Sequence, residues 1–249
     1  MTHPVLHRSE AGHRVVGLRD EAQLLARARD VIRAEAQALS ALEERLDQSF
    51  LDAVRLIADA SGRVIVSGIG KSGIIGRKIA ATLTSTGTPA TFLHPVEGLH
   101  GDLGIVGRDD VAILISKSGE SEELTGLVAF LSRLGVGMIA MTGRKDSSLA
   151  RAATIVLDCA VSEEACPHDL APTTSTTVTL ALGDALAVAL LLYKGFPRED
   201  FARLHPGGAL GRKLTLRVRD VMVDSDYPSL HQDATMRECV VLLAGKRGT

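Results

Sequence analysis

The sequence lacks the features that mark secreted and nucleic-acid-binding proteins. It has only three cysteines, widely spaced at Cys159, Cys166 and Cys239, which favours a reducing compartment over a disulfide framework. Its 28 basic and 30 acidic residues give a net charge of −2, so no positive excess indicates a nucleic-acid partner. No cationic segment followed by an apolar core opens the chain, and we expect no signal peptide. Together with 249 residues that are 45% hydrophobic, these absences predict a cytoplasmic α/β enzyme.

The sequence also lacks an uninterrupted hydrophobic run. Residues 176–193 are nearly all apolar and approach the roughly 20 residues that a membrane span requires. However, Asp184 lies in the middle of this segment and Lys194 follows it, and a carboxylate within lipid is costly. We therefore expect no membrane partner and interpret the segment as a helix in the core or at a subunit interface.

Two nucleotide-binding motifs are present only in part. Residues 70–72 read Gly-Lys-Ser, but the glycine that a P-loop requires five residues before its Gly-Lys pair is replaced by Ile65. The glycines of residues 68–73 fit the spacing of a dinucleotide fingerprint. The acidic residue expected about 20 residues later is missing, since residues 92–95 read Phe-Leu-His-Pro. These differences argue against a nucleotide triphosphatase and against a dinucleotide site.

Short apolar segments alternate with helical ones after residue 60. Helical periodicity covers residues 20–60 before them. The alternation predicts an α/β fold with a five-stranded parallel sheet flanked by helices, a flavodoxin-like three-layer sandwich. The predicted strands are 64–66, 90–93, 111–115, 137–141 and 154–157, and the predicted helices lie near 74–86, 122–134, 147–152 and 174–194.

Two turns rich in glycine and serine follow predicted strands. Residues 68–73 read Gly-Ile-Gly-Lys-Ser-Gly, and residues 116–121 read Ser-Lys-Ser-Gly-Glu-Ser. Each turn leads into a helix, so hydroxyls and N–H groups would meet at a helix N-terminus and suit a phosphate. Because ligands bind at the carboxyl ends of parallel strands, we expect both turns to share one site. The alternative is a pair of ordinary helix caps.

These turns, with His-Gly-Asp-Leu-Gly at residues 100–104, resemble the sugar isomerase (SIS) domain family. Three further stretches, residues 164–167, 170–177 and 205–211, are similar to the arabinose-5-phosphate isomerases of that family. Members interconvert D-ribulose 5-phosphate and D-arabinose 5-phosphate. The resemblance runs from about Asp20 to Met222, and it implies a SIS fold and isomerisation through an enediol.

The resemblance also implies a domain organisation. A SIS domain at residues 20–215 follows a mobile N-terminal tail at residues 1–19. The related isomerases end in a pair of CBS domains, and residues 216–222 look like the start of the first. The stretch that follows in this sequence is too short for two such domains, so residues 216–249 are interpreted as an incomplete remnant of the first CBS domain, with a helix at residues 233–243.

Four residues match the catalytic positions of the family: Lys71, Glu123, Glu164 and His205. Isomerisation moves a proton between adjacent carbons, and carboxylates and histidine suit such proton transfers. Either Glu164 or Glu123 is expected to be the carbon base, and the other carboxylate is expected to handle the hydroxyl proton. His205 would assist ring opening or oxygen protonation, and Lys71 would stabilise the enediolate or hold the substrate. Without the resemblance, Glu123 is a first-turn acid that complements the helix dipole, and the other three are surface residues.

Further positions are expected to bind the substrate. Those assigned to the two turns are Gly70, Ser72, Ser116, Ser118, Gly119 and Ser121. Gly87, Thr88, His94 and His100 match other positions that line the family's pocket. The resemblance also implies an inhibitory zinc with His94 as its ligand, although His94 and His100 do not have the spacing of a zinc motif. No cofactor is expected, because enediol chemistry requires neither redox chemistry nor a Lewis acid.

The family implies a homotetramer with sites at subunit interfaces, and a product that supplies the eight-carbon acid sugar of lipopolysaccharide or capsule. Two alternatives stay open. One is a SIS module that senses a sugar phosphate in a transcription regulator. Such a protein would carry a DNA-binding region, and the helices before residue 60 lack a basic recognition pattern. The other is a SIS isomerase for a different sugar phosphate.

Overall fold

The predicted five-stranded parallel sheet is confirmed. A computed structural model describes residues 20–204, 216–222 and 229–245. All neighbouring strands pair in parallel, in the order β2-β1-β3-β4-β5. The topological switch point, where ligands bind in such sheets, therefore lies between β1 and β3. The strands are β1 (Val64–Gly68), β2 (Ala90–Phe92), β3 (Val111–Ile115), β4 (Gly137–Thr142) and β5 (Ile155–Asp158).

Seven α-helices accompany the described strands. The helical region predicted at residues 20–60 contains two helices, because the Asp47 carboxylate accepts a hydrogen bond from the Ser49 N–H at 2.9 Å and starts a new helix. The short helix Pro95–Leu99 and the 3₁₀ turn Asp102–Ile105 lie where no helix was predicted. The helices are α1 (Glu21–Glu44), α2 (Gln48–Asp59), α3 (Gly70–Ser85), α4 (Pro95–Leu99), α5 (Glu122–Leu134), α6 (Ser148–Ala152) and α7 (Thr174–Tyr193).

The sheet is buried on both faces, as β3 shows. Its residues Val111, Ile113 and Ile115 belong to a core cluster on the face covered by α1, α2, α3 and α7. Ala112 and Leu114 belong to a second cluster with residues of α5 and α6. Because successive side chains of a strand point to opposite faces, a strand covered on both sides must be apolar throughout. The three-layer sandwich is thus confirmed.

Helix α7 is a core helix. Nine of its residues are buried, and a Cβ added at Gly183 would overlap the side chain of Ile79 in α3. Asp184, which argued against a membrane span, pairs with Lys78 of α3. Within the described residues, α7 is the one helix that is long and apolar enough to cross a membrane. Its packing against α3 is that of a helix in the protein core.

The chain divides into two compact units at Pro197. The second contains the described helices Arg198–Leu204, Val218–Val221 and Met236–Gly245. The last of these confirms the predicted helix, and it begins with a capping pair in which the Thr235 N–H donates to Glu238 Oε2 at 2.7 Å. The division at Pro197 falls earlier than the predicted boundary at residue 215. That boundary and the predicted tail at residues 1–19 lie outside the described residues.

Candidate active site

The turn after β3 is held in a fixed shape by its own serines. Ser116 Oγ accepts a hydrogen bond from the Gly119 N–H at 3.0 Å and lies 2.8 Å from Ser121 Oγ. Gly119 has a φ of +68°, which glycine adopts without strain, and an added Cβ would overlap Ser147 at the start of α6. The turn therefore has no room for a side chain at Gly119.

This turn lines a cavity of about 560 Å³ at the carboxyl ends of the strands. The volume is typical of a site for a small molecule. As predicted, residues of both glycine-serine turns meet there. Two cations, Lys117 and Arg144, lie in the same wall. The lining residues are Ser72, Ser116, Lys117, Ser118, Ser121, Gly143, Arg144, Cys159, Ala160 and Val161.

The cavity wall suits an anion. Helices α3 and α5 begin at it, and neither Ile69 nor Ser121 caps its helix through a side-chain hydrogen bond, so their first N–H groups carry positive partial charge without that cap. The Ser118 Oγ accepts the Glu120 N–H at 3.2 Å, which leaves its O–H proton to donate outward. Whichever hydroxyl donates in the Ser116–Ser121 pair, the other also keeps its proton. The wall thus combines two hydroxyl donors, two helix N-termini and two cations.

Glu164 is buried, contrary to the surface position that its local sequence indicates. Its side chain is 0% exposed and lies 2.6 Å from the ammonium of Lys117, between Oε1 and Nζ. Oε1 also accepts the Ser175 hydroxyl. Oε2 accepts the backbone N–H groups of Thr173 at 2.8 Å and Ser175 at 3.1 Å. Glu164 therefore occupies the N-terminus of α7, where a negative charge is stabilised.

These donors decide the charge of Glu164. Burial by itself acts to raise the pKa of the carboxyl, but the Lys117 ammonium, the Ser175 hydroxyl and the two backbone N–H groups lower the pKa to about 2. Glu164 is thus a carboxylate with little affinity for a proton at neutral pH. The pKa of Cys159 in the cavity wall is shifted in the opposite direction, because burial raises the pKa of its thiol to about 12.

The segment from Glu164 to Thr173 is pinned by Asp169. Asp169 has a φ of +52°, which is uncommon for a residue other than glycine, and its carboxylate accepts the Glu164 N–H at 2.7 Å. The Ala165 N–H is shared between the hydroxyls of Thr173 and Thr174, each at 3.0 Å. The backbone on both sides of Glu164 is thereby fixed against the start of α7.

The other predicted catalytic residues have different surroundings. Lys71 and Glu123 are exposed in the first turns of α3 and α5, the two helices that begin at the cavity. His205 lies outside the described residues. The catalytic roles of all four residues stay predictions, and the structure adds that Glu164 is connected to the cavity through Lys117.

The predicted binding residues divide into two groups. Gly70 and Ser72 begin α3, and the serines of residues 116–121 face one cavity with Ser72. The Gly119 N–H is used within the turn, so its contribution to phosphate binding would require exchange of that bond. Gly87 and Thr88 precede β2 and lie at the amino edge of the sheet, away from the cavity. Thr88 is buried and accepts a hydrogen bond from Lys194 at 3.2 Å; a role of either residue in substrate binding stays a prediction.

His94 and His100 flank α4 beyond the carboxyl end of β2. His100 is exposed, whereas the Nδ1 of His94 is buried and has no hydrogen-bond partner in the described structure. No group of three His, Cys, Asp or Glu side chains within residues 20–204, 216–222 and 229–245 could hold a metal. The described surroundings of His94 therefore do not form a complete zinc site.

Sequence reasoning missed Lys117 and Arg144. Lys117 lies in the middle of the recognised turn, of which only the serines and Gly119 were assigned to the phosphate. Arg144 follows β4 and Gly143, and the rule that ligands bind at the carboxyl ends of strands was a signal that could have identified it. Both residues contribute charge to a cavity whose hydroxyls were predicted.

Comparison with known proteins agrees with this geometry. The SIS domain family matches residues 56–189. The chain is 52% identical over 219 residues to arabinose 5-phosphate isomerase KdsD of Shigella flexneri, a match that covers 88% of the chain and 67% of that protein. It is 53% identical over 195 residues to arabinose 5-phosphate isomerase KdsD of Pseudomonas aeruginosa, covering 78% of the chain and 60% of that protein.

A solved structure supports the same family. A protein from Escherichia coli CFT073 in complex with arabinose 5-phosphate matches with a TM-score of 0.73 and 40% identity, over 75% of the chain and 100% of that structure. The predicted fold and the resemblance to arabinose-5-phosphate isomerases are both confirmed. With its family match over residues 56–189 and these relatives, the chain belongs to the SIS domain family.

Proposed function

We propose that the chain is an aldose–ketose isomerase that interconverts D-ribulose 5-phosphate and D-arabinose 5-phosphate. The observation that carries the proposal is the cavity at the carboxyl ends of the parallel strands, whose serines, helix N-termini and cations suit a phosphate. The relatives named arabinose 5-phosphate isomerase and the related structure in complex with arabinose 5-phosphate support the same substrate.

The reaction moves one proton from C1 of the ketose to C2 of the aldose through an enediol. A base removes the C1 proton while the C2 carbonyl oxygen gains a proton, and the enediol then loses its O1 proton and gains one at C2. We assign the carbon base to Glu164, because of the two candidate carboxylates, Glu164 and Glu123, it is the one that the fold buries and holds in a fixed position. Glu123 then handles the hydroxyl protons, His205 assists ring opening, and Lys71 stabilises the enediolate.

The proposed reaction uses no cofactor, because the proton transfers need only side chains. His94 has no role in the proton transfers assigned above and is proposed only as a ligand of the inhibitory zinc. An inhibitory zinc bound through His94 would be removed by EDTA, which should leave turnover unchanged or raise it.

We infer further that the enzyme acts as a homotetramer in the cytoplasm, where its phosphorylated substrate is made. Leu24, Leu25 and Ile32 of α1 and Leu192 of α7 are each at least half exposed, and such apolar surfaces mark subunit interfaces. Light scattering is expected to give about four times the 26.3 kDa of one chain. In the cell, arabinose 5-phosphate would supply the eight-carbon acid sugar of lipopolysaccharide or capsule.

The test is turnover of D-ribulose 5-phosphate by the purified chain in the presence of EDTA. Glu164→Gln removes the carboxylate and keeps its shape, and it should lower kcat by about 10²-fold or more, as loss of a general base does. Glu163→Gln is the matched control, because Glu163 is the exposed neighbour of Glu164, and it should keep its turnover. Sugar-phosphate binding without turnover in the unsubstituted chain would favour a sensor instead.

A further inference from the structure

The Glu164 carboxylate has no free position for another proton. Five donors reach it: Lys117 Nζ and Ser175 Oγ at Oε1, and the Thr173 N–H, Thr173 Oγ1 and Ser175 N–H at Oε2. An ionised carboxylate offers about four lone-pair positions. Each oxygen has two of these positions, so Lys117 and Ser175 fill those of Oε1, and one of these two donors must leave before Oε1 can take a proton from carbon, as the proposed function requires.

Lys117 is the donor that is free to leave. Its side chain is 51% exposed and ends a flexible four-carbon stem. The other four donors are backbone N–H groups and short hydroxyl side chains at the start of α7, and Thr173 and Ser175 are fixed by the helix that follows them. The carboxylate of Asp169 accepts the Glu164 backbone N–H and contributes no donor to the Glu164 carboxylate.

The cavity offers Lys117 a second anion. Lys117 lies between Ser116 and Ser118 and lines the same cavity as both. A sugar phosphate bound there carries a charge of about −1.5 to −2, which exceeds the single charge of Glu164. A phosphate oxygen in reach of Ser118 is therefore a strong competitor for the ammonium that now holds Glu164.

We propose that Lys117 is a positioning residue that couples phosphate binding to the freeing of the Glu164 carboxylate. In the structure its ammonium occupies Glu164 Oε1. When the phosphate enters, the ammonium moves to a phosphate oxygen, and Oε1 becomes able to accept the C1 proton of the same substrate. The enzyme thereby reserves its base for sugars that carry a phosphate. This inference rests on the proposed function, since it gives Glu164 the role of carbon base.

Replacing Lys117 should therefore change the reaction rates of two substrates in opposite directions. Lys117→Met removes a phosphate ligand, so turnover of D-ribulose 5-phosphate should fall about tenfold or more, the size of one lost hydrogen bond to a charged group. The same change frees one position on Oε1 of Glu164, so exchange of the C1 protons of unphosphorylated D-ribulose with D₂O should rise about tenfold. A merely structural role of Lys117 would lower both rates.

Proton NMR measures the exchange, and Lys78→Met is the matched control. Lys78 is also a half-exposed lysine paired with a carboxylate, at 46% exposure beside Asp184, and it is not among the residues that line the cavity. It should leave both rates unchanged. Inorganic phosphite added with D-ribulose should accelerate exchange by the unsubstituted chain and not by Lys117→Met. Equal loss of both rates in Lys117→Met, or equal acceleration of both proteins by phosphite, would overturn the proposal.

A second measurement does not depend on turnover. Glutamate labelled with ¹³C at the carboxyl carbon gives a Glu164 resonance that Glu164→Gln identifies. At pH 4.5 and saturating inorganic sulfate, which stays a dianion at this pH and takes the place of the phosphate, this resonance should shift toward its protonated position in the unsubstituted chain. In Lys117→Met the Glu164 resonance should already lie nearer its protonated position before the anion is added, and it should not respond to the anion. If the chain fails to convert D-ribulose 5-phosphate, the proposed function fails and this shift still decides the link between Lys117 and Glu164; an unresponsive resonance in the unsubstituted chain overturns that link.

Discussion

Replacing Gly119 with alanine tests how tightly the phosphate turn is packed. Gly119 has a φ of +68°, a conformation that costs an alanine about 1–2 kcal/mol. The added Cβ would also overlap Ser147 and lie 3.0 Å from Thr142 Oγ1, and such overpacking typically costs about 1–3 kcal/mol more. The free energy of unfolding should therefore fall by about 2–5 kcal/mol.

Gly135→Ala separates the two contributions. Gly135 ends α5 with a φ of +80°, and nothing lies within 4 Å of its added Cβ, so it should show the backbone cost of about 1–2 kcal/mol alone. Urea unfolding measures both variants against the unsubstituted chain, with equal m-values as the condition for comparison. If both variants lose the same stability, the turn is not packed against Ser147 and the reasoning is refuted.

Three further changes have expected outcomes. The carboxylate of Glu164 has a pKa of about 2 against an ordinary 4.5, so it stabilises the fold fully above pH 4.5 and loses this effect as the pH falls toward 2. Glu164→Gln should lower the free energy of unfolding in urea by up to about 3 kcal/mol at pH 7 and by clearly less at pH 3. An equal loss at both pH values would contradict this. Backbone N–H donors, that of Ala171 foremost, lower the pKa of the Cys166 thiol, whereas burial raises the pKa of the Cys159 thiol to about 12. Iodoacetamide should therefore label Cys166 about 100-fold faster than Cys159 in the folded chain, as measured by mass spectrometry. Similar labelling rates would argue against the burial of Cys159. Gly183→Ala should cost about 1–3 kcal/mol, because the methyl group would overlap Ile79; unchanged thermal unfolding would contradict the close packing of α7 on α3.

The sheet could be predicted from the sequence because each strand is a short apolar run between polar or glycine-containing segments. Observed strand boundaries differ from the predicted ones by at most two residues. Helix boundaries were harder where glycines dominate. The predicted start of α3 near residue 74 is wrong, and the helix begins at Gly70, because the low helix propensity of Gly70 and Gly73 hides its first turn.

The position of the cavity followed from the same rule of parallel sheets, but its charge did not. Nothing near Glu164 in the sequence shows that its side chain is buried, since its partners are Lys117, 47 residues earlier, and Ser175, 11 residues later. Both contacts exist only after the turn beyond β3 and the start of α7 meet. The ionised state of Glu164 is therefore a property of the tertiary structure.

The position of Gly87 and Thr88, in contrast, could have been predicted from the sequence. Gly87 and Thr88 were assigned to the pocket by resemblance alone. They precede β2, which in a parallel sheet places them at the edge opposite to the serine turn. Order along the chain would have indicated this edge, because the carboxyl ends of all five strands lie on the other side.

Isomerisation of D-ribulose 5-phosphate in D₂O tests the central claim most directly. The account predicts that the unsubstituted chain forms arabinose 5-phosphate carrying deuterium at C2, because the enediol regains its proton from a base that exchanges with solvent. Glu164→Gln should form almost none, while Glu163→Gln should form as much as the unsubstituted chain. Absence of product from the unsubstituted chain, or equal product from Glu164→Gln, would contradict the account.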